Sequence, residues 1–313
     1  MNYKISNSKL SVEISSKGGE LRSIQDAEGK EYLWQGDADS WTDRGPNLFP
    51  YIGRMTDGQY RYQGKTYHMD IHGFLPYMEM NLVEKKEDEL VLRLQNTPET
   101  ELCYPFLFEL DICWKLIEDT LQITYYVRNK DIKTMYFGIG GHPGFCVPIA
   151  DGLAFEDYRI DFGENAQLSQ VVLSDDCFVT ENTVPVPLVD DRYLPLQHGL
   201  FDRDAIVLNE MPKSLMIESK KDCRKIRVVY EDMNYLGIWH WPKMEVNYVC
   251  IEPWSSLPSR KGIIEDLETQ TNLLHLESGR EYRNTWSITI EKEKMKRAKE
   301  KPPVRRRLVS LTF

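Results

Sequence analysis

Residues 140–145 read Gly-Gly-His-Pro-Gly-Phe and place one titratable imidazole, His142, at the end of an apolar run, Met135-Tyr136-Phe137-Gly138-Ile139. Glycine lets a ligand or another backbone come close and proline fixes φ, so the imidazole is presented from a rigid turn. Such a group can gain or lose a proton near neutral pH. A histidine in a turn can also do no more than satisfy hydrogen bonds, so its chemical reading depends on its company. Glu252 ends the apolar run Tyr248-Val249-Cys250-Ile251 and is followed by Pro253 and Trp254. A carboxylate there loses hydration, which penalises its ionised form unless it is paired or used as a base. A structural ion pair with an arginine is the alternative for Glu252. Arg54 closes the proline-bounded stretch Arg44-Gly45-Pro46-Asn47-Leu48-Phe49-Pro50-Tyr51-Ile52-Gly53, and its guanidinium can fork onto paired hydroxyls. His72, in Asp70-Ile71-His72-Gly73-Phe74, is a second imidazole beside glycine.

Aromatic residues accompany these polar groups: Phe145 in the His142 turn, Trp239 in Trp239-His240-Trp241-Pro242, and Trp254 after Glu252. Aromatic faces beside hydrogen-bonding groups suit a sugar, which has an apolar C–H face and a hydroxyl rim. Each of the three also reads as a core residue.

The elements that must position these groups read as strands. Leu10-Ser11-Val12-Glu13-Ile14 alternates apolar and polar, and turn residues restart the pattern toward Tyr32-Leu33-Trp34. Gln63-Gly64 predicts a hairpin within 61–67, Met80–Val83 pairs with Leu90–Leu94, and Phe106–Leu116 pairs with Leu121–Val127. Leu215–Ile217, Lys225–Tyr230, Tyr248–Ile251 and Trp286–Ile290 continue the series, and no helical stripe of three turns occurs before residue 290. The expectation is an all-β chain folded as a large antiparallel β-sandwich, one domain over residues 1–290. Residues 291–313 carry nine Lys and Arg against three Glu and are expected to be a basic extension outside the core fold.

Composition narrows the partners. With 41% hydrophobic residues and 28% charged, the 313-residue chain has material for a sizeable core. A net charge of -10 argues against nucleic acid and against anionic membrane surfaces, leaving a small molecule as the expected partner. Six scattered cysteines without CxxC spacing, a start lacking an apolar signal segment, and no run of about 18 apolar residues predict reduced thiols and a cytoplasmic protein, monomeric or homodimeric.

Taken together, Glu31–Asp37, Pro46–Arg54, His72-Gly73-Phe74, Gly141–Phe145 and Cys250–Trp254 resemble the aldose 1-epimerases, or galactose mutarotase-like proteins, and within them the LacX-like branch. The likeness covers residues 3–291. It implies a galactose mutarotase-like supersandwich and cofactor-free interconversion of the α and β anomers of an aldose. On this resemblance Glu252 takes the role of base and His142 that of acid, Arg54 and His72 hold the sugar, and Asp202 in Phe201-Asp202-Arg203-Asp204 binds hydroxyls, with Asp204 the competing choice. A carboxylate beside the imidazole is expected to raise its pKa. Family members acting on hexose 6-phosphates carry an arginine shortly after His-Gly-Phe, where this chain has Leu75-Pro76-Tyr77. A free hexose such as galactose or glucose is therefore the first expectation and a hexose 6-phosphate the second, with Arg44 and Arg203 as possible sources of charge. A non-catalytic carbohydrate-binding sandwich would use the same aromatics without needing the acid–base pair. A glycosidase would want two carboxylates about the scissile bond. A zinc site from His72, His142 and His240 lacks HExxH or CxxC spacing, so no metal is expected.

Overall fold

The computed structural model describes residues 1–293. Asn2–Ser6, Leu10–Ser15 and Leu21–Asp26 form a three-stranded antiparallel sheet, joined to the rest through Leu10, Val12, Ile14 and Leu21 in the main apolar core. Tyr32–Trp34, expected to complete a hairpin, makes only isolated bridges and loop hydrogen bonds.

Two large sheets follow. In the first, nine strands lie in the order Tyr193–Pro195, Arg159–Asp161, Ser214–Glu218, Arg224–Val229, Glu281–Lys292, Thr120–Asn129, Phe108–Ile117, Glu89–Gln95 and Asn81–Lys85. In the second, Val179–Pro185, Ser169–Leu173, Ile206–Glu210, Tyr235–Trp239, Tyr248–Trp254, Gly140–Gly141 and Asn47–Leu48 lie in that order, with Gly144–Cys146 also paired to Tyr248–Trp254. Leu110, Ile112 and Trp114 of one sheet and Leu236, Ile238, Val249 and Ile251 of the other belong to one apolar cluster, the filling of an antiparallel β-sandwich. The expected Gln63-Gly64 hairpin joins Gln59–Tyr62 to Lys65–His68, with both turn residues at positive φ as such a turn requires. Helix is confined among the described residues to Pro98–Cys103, N-capped by the Thr97 hydroxyl, and a few short 3-10 turns. None is long and apolar enough to cross a membrane.

The last strand runs to Lys292, two residues into the segment expected to be extension. Opposite charges explain the difference: Glu291 accepts from Arg227 across the strand pair, and Lys292 pairs with Glu28. The remainder of the basic segment, from 294 onward, lies outside the described residues.

The strand Tyr248–Trp254 is buried throughout, so both of its faces are covered. Successive side chains point to opposite faces. Val249 and Ile251 enter the sandwich core, while Cys250, Glu252 and Trp254 face away from it. Glycines clear space around this strand. A Cβ on Gly237, the register partner of Glu252, would lie 2.8 Å from the Trp254 ring, and one on Gly141 would lie 2.4 Å from the Trp286 ring. Gly141→Ala is accordingly expected to lower unfolding free energy by about 1–3 kcal/mol, the usual cost of overpacking, as measured by urea denaturation.

Candidate active site

The outer face of the second sheet carries a cavity of about 280 Å³ lined by His142, Glu252, Trp254, Trp239, Arg54 and His72, and also by Trp41, Asp43, Tyr77, Cys177, Asp204 and Trp241. Of the eight residues expected to form a site, six therefore meet. His142 hangs from the link between Gly140–Gly141 and Gly144–Cys146, both paired to the strand bearing Glu252. Its backbone N–H donates to Pro46 O at 2.9 Å, which ties the turn to the Arg44–Arg54 segment. Nε2 of His142 lies 3.1 Å from Oε2 of Glu252. Trp41 tilts over the imidazole at 5.0 Å between ring centroids, and Trp239 meets it edge-on at 5.6 Å.

Burial dominates the electrostatics of this pair. Glu252 is 2% exposed and His142 8%. Loss of hydration pushes the Glu252 carboxyl well above the usual carboxylate range, and the charge of Asp204 adds to the rise. The Trp254 indole N–H approaches the same carboxylate and opposes the shift weakly. Loss of hydration also pulls His142 well below the usual imidazole range, with His72 as a second cause. The sequence-based expectation of a raised imidazole is thus reversed: one carboxylate contact does not offset enclosure by Trp41, Trp239 and the strand beneath. Both shifts favour the uncharged forms, so the pair holds one ionisable proton, resting on Glu252, which the 3.1 Å contact lets pass to His142.

His72 has left-handed backbone, φ 65°, and is followed by Gly73 at φ 75°. Only glycine fits the second position, because a Cβ there would fall 2.2 Å from the Phe49 carbonyl oxygen. The ring is held by the Gly53 N–H, which donates to Nδ1 at 3.1 Å. With Nδ1 accepting, the neutral tautomer carries its proton on Nε2. Burial, with the adjacent Arg54 charge, lowers the His72 pKa to about 4. At neutral pH it is an uncharged donor.

Two expected residues stand elsewhere. Asp202 is exposed at the end of the His198–Phe201 turn and does not line the cavity; Asp204 does. Asp204 adopts φ 79° and accepts hydrogen bonds from the Ala205 N–H and the Cys177 thiol, so local turn geometry rather than residue type selects between the two aspartates. Phe145 is fully buried in the sandwich core. It pairs in register with Val249, whose face is the core face, whereas its neighbour Gly144 pairs with Cys250. The zinc trio weighed from sequence also separates: His240 lies apart from the cavity, bonded to His198 and to the Trp241 carbonyl. Sequence reasoning missed Trp41, Asp43, Tyr77 and Cys177. The segment carrying Trp41 and Asp43 sits between two of the quoted motifs, and an aromatic three residues before Arg44 is the one signal that pointed to it.

A family model described as aldose 1-epimerase matches residues 1–269. The chain belongs to the aldose 1-epimerase family. It is 29% identical over 301 residues to the chromosomal LacX protein of Lactococcus lactis subsp. lactis, covering 93% of this chain and 99% of the relative. Among solved structures it is similar to a galactose mutarotase related enzyme from Lactobacillus acidophilus, with 32% identity, a TM-score of 0.88, and 94% and 100% of the two chains covered. A galactose mutarotase-like protein from Lactobacillus casei gives 28% identity and a TM-score of 0.88 over 93% and 100% of the chains. The family assignment makes this chain an isomerase of the epimerase class and accords with the sandwich described above.

The His72 environment predicts a pH-dependent stability. Its folded pKa of about 4 lies below the 6.5 of a free imidazole, so the unfolded chain takes up this proton first as pH falls. The stabilisation is complete above pH 6.5 and is lost as pH falls toward 4. Thermal melts across this interval are expected to show a steeper loss of Tm with acidification in the wild type than in His72→Gln.

Proposed function

We propose that this epimerase interconverts the α and β anomers of a free hexose, such as galactose or glucose, by general acid–base ring opening and closure. The observation that carries the reading is the 3.1 Å contact between Nε2 of His142 and Oε2 of Glu252 on the wall of a monosaccharide-sized cavity. Opening a cyclic hemiacetal removes a proton from the C1 hydroxyl and delivers one to the ring oxygen. These two oxygens share one carbon, so an adjacent base and acid can serve both. Once that proton has passed from Glu252 to His142, Glu252 accepts from the C1 hydroxyl while His142 protonates the ring oxygen. The open aldehyde turns about C1–C2, and closure reverses both transfers. The chemistry asks for no metal, nucleotide or covalent intermediate.

The other cavity residues take binding roles in this reading. Arg54, His72 Nε2–H and Asp204 meet hydroxyls, and Trp239 and Trp254 offer flat apolar faces to the ring. The size of the cavity, about 280 Å³, falls just below the roughly 300–1,000 Å³ range of small-molecule sites and favours a single sugar ring. Its lining sets the Arg54 guanidinium against the carboxyls of Asp43, Asp204 and Glu252, while Arg44 turns instead to Gln35 and the Arg22 carbonyl. That balance favours a neutral sugar over a phosphorylated one.

Anomer exchange followed by one-dimensional NMR of freshly dissolved α-galactose tests the proposal. Glu252→Gln and His142→Asn are each expected to lower the rate by about 10²–10⁴ while sugar still binds. Unaccelerated equilibration by the wild type with binding intact would make the protein a carbohydrate binder instead. The rate should follow a bell-shaped dependence on pH. It should fall on the acid side below the ordinary imidazole value, where His142 and Glu252 are both protonated, and on the alkaline side above the ordinary carboxylate value, where the pair loses its last proton. A separate comparison concerns the two aspartates: Asp204→Asn should raise KM by about 10- to 100-fold through loss of charge-assisted hydrogen bonds, and Asp202→Asn should leave it within about twofold.

A further inference from the structure

Cys250 takes no part in the chemistry above, yet it stands two residues before Glu252 on the same strand and therefore on the same face. Its register partner on one side is Gly144, where an added Cβ would lie 3.4 Å from the Cys250 sulfur and 2.7 Å from the Trp41 ring. Because residue 144 has no side chain, the thiol sits beneath Trp41, the ring that covers His142. The donor atoms of His142, Cys250 and Glu252 consequently all lie within 4.8 Å of one another, and all three residues are buried.

We propose that these three side chains form a binding site for a thiophilic divalent cation of the zinc class, and that occupancy shuts off the acid–base pair. A nitrogen, a sulfur and a carboxylate oxygen make a donor set that zinc takes readily and that magnesium or calcium does not. Zinc–ligand bonds of about 2.0–2.3 Å at tetrahedral angles put nitrogen and oxygen donors about 3.4 Å apart and sulfur about 3.6 Å from either. The 3.1 Å contact of His142 with Glu252 already approximates the first edge. Side-chain rotation of about one ångström brings in the sulfur. Nδ1 of His142 is buried without a hydrogen-bond partner, so the ring is not locked by a bond on its far side. As the sulfur–metal bond forms, the thiol proton leaves to solvent together with the proton shared by His142 and Glu252. The lone pairs that served proton transfer are then committed to the ion, and its fourth position points to the space a sugar would fill. Sugar and ion therefore exclude one another. This last consequence rests on the proposed sugar site; the binding itself does not.

Direct titration of the full chain with zinc chloride, by calorimetry and by the rise in Tm, reads binding independently of any activity. One zinc per chain is expected. Cys250→Ala should bind zinc weaker by at least the about 10- to 100-fold that loss of a supporting partner costs at metal sites, and Cys250→Ser provides a second variant should the first fold poorly. Mutarotation by the wild type should fall at least tenfold at saturating zinc and recover with chelator, whereas the metal-free rate of either cysteine variant should match wild type. Excess galactose should weaken zinc binding in parallel. Absence of zinc binding, equal binding by the cysteine variants, or a rate that rises with zinc would overturn the proposal. A wild type that binds zinc through Cys250 but accelerates no anomer exchange would leave the site standing and remove the epimerase mechanism instead.

Discussion

An imidazole and a carboxylate pressed together where little water reaches them constrain everything around this site. Neither group is comfortable in its charged form there, and each makes the other tolerable. The contact survives because Glu252 projects from a strand fixed on both edges by antiparallel pairing, and because His142 hangs from a turn that pairs with that same strand. Rigid backbone on both sides keeps two groups of opposite tendency 3.1 Å apart. A loop on either side would let them separate and rehydrate.

Space for the contact comes from residues that lack side chains. Gly237 admits the Trp254 ring, Gly144 admits Trp41, and Gly141 receives Trp286 from the opposing sheet. The three tryptophans enclose the region from the flank, the outside and the core. Aromatic bulk and glycine gaps are thus two halves of one packing solution, and they supply the low-dielectric surroundings that shift the pair's proton affinities.

Much of this was legible in the chain because strand period and turn chemistry are local signals. The Gln63-Gly64 hairpin, the long strands about residues 108–129, and the apolar run ending in Glu252 all appear where the pattern puts them. The miscast residues share a cause, which is that a side chain's direction depends on register or on turn backbone. Phe145 follows Gly144 by one position and so takes the opposite face, a step that counting from the register partner Val249 reveals only once the pairing is known. Asp202 and Asp204 differ by a left-handed backbone at the second, which composition does not encode. Trp41 reaches His142 across a hundred residues of sequence, and only tertiary packing brings it there.

The strand Tyr248–Trp254 divides its labour by parity. Odd positions Val249 and Ile251 answer to the interior, and even positions Glu252 and Trp254 answer to the cavity. Selection for folding and selection for chemistry therefore act on alternate letters of one short word. Aliphatic drift at the odd letters leaves the reaction alone, and changes at the even letters can redirect what the cavity accepts without loosening the sandwich, so this one segment offers a route by which a stable scaffold acquires new preferences.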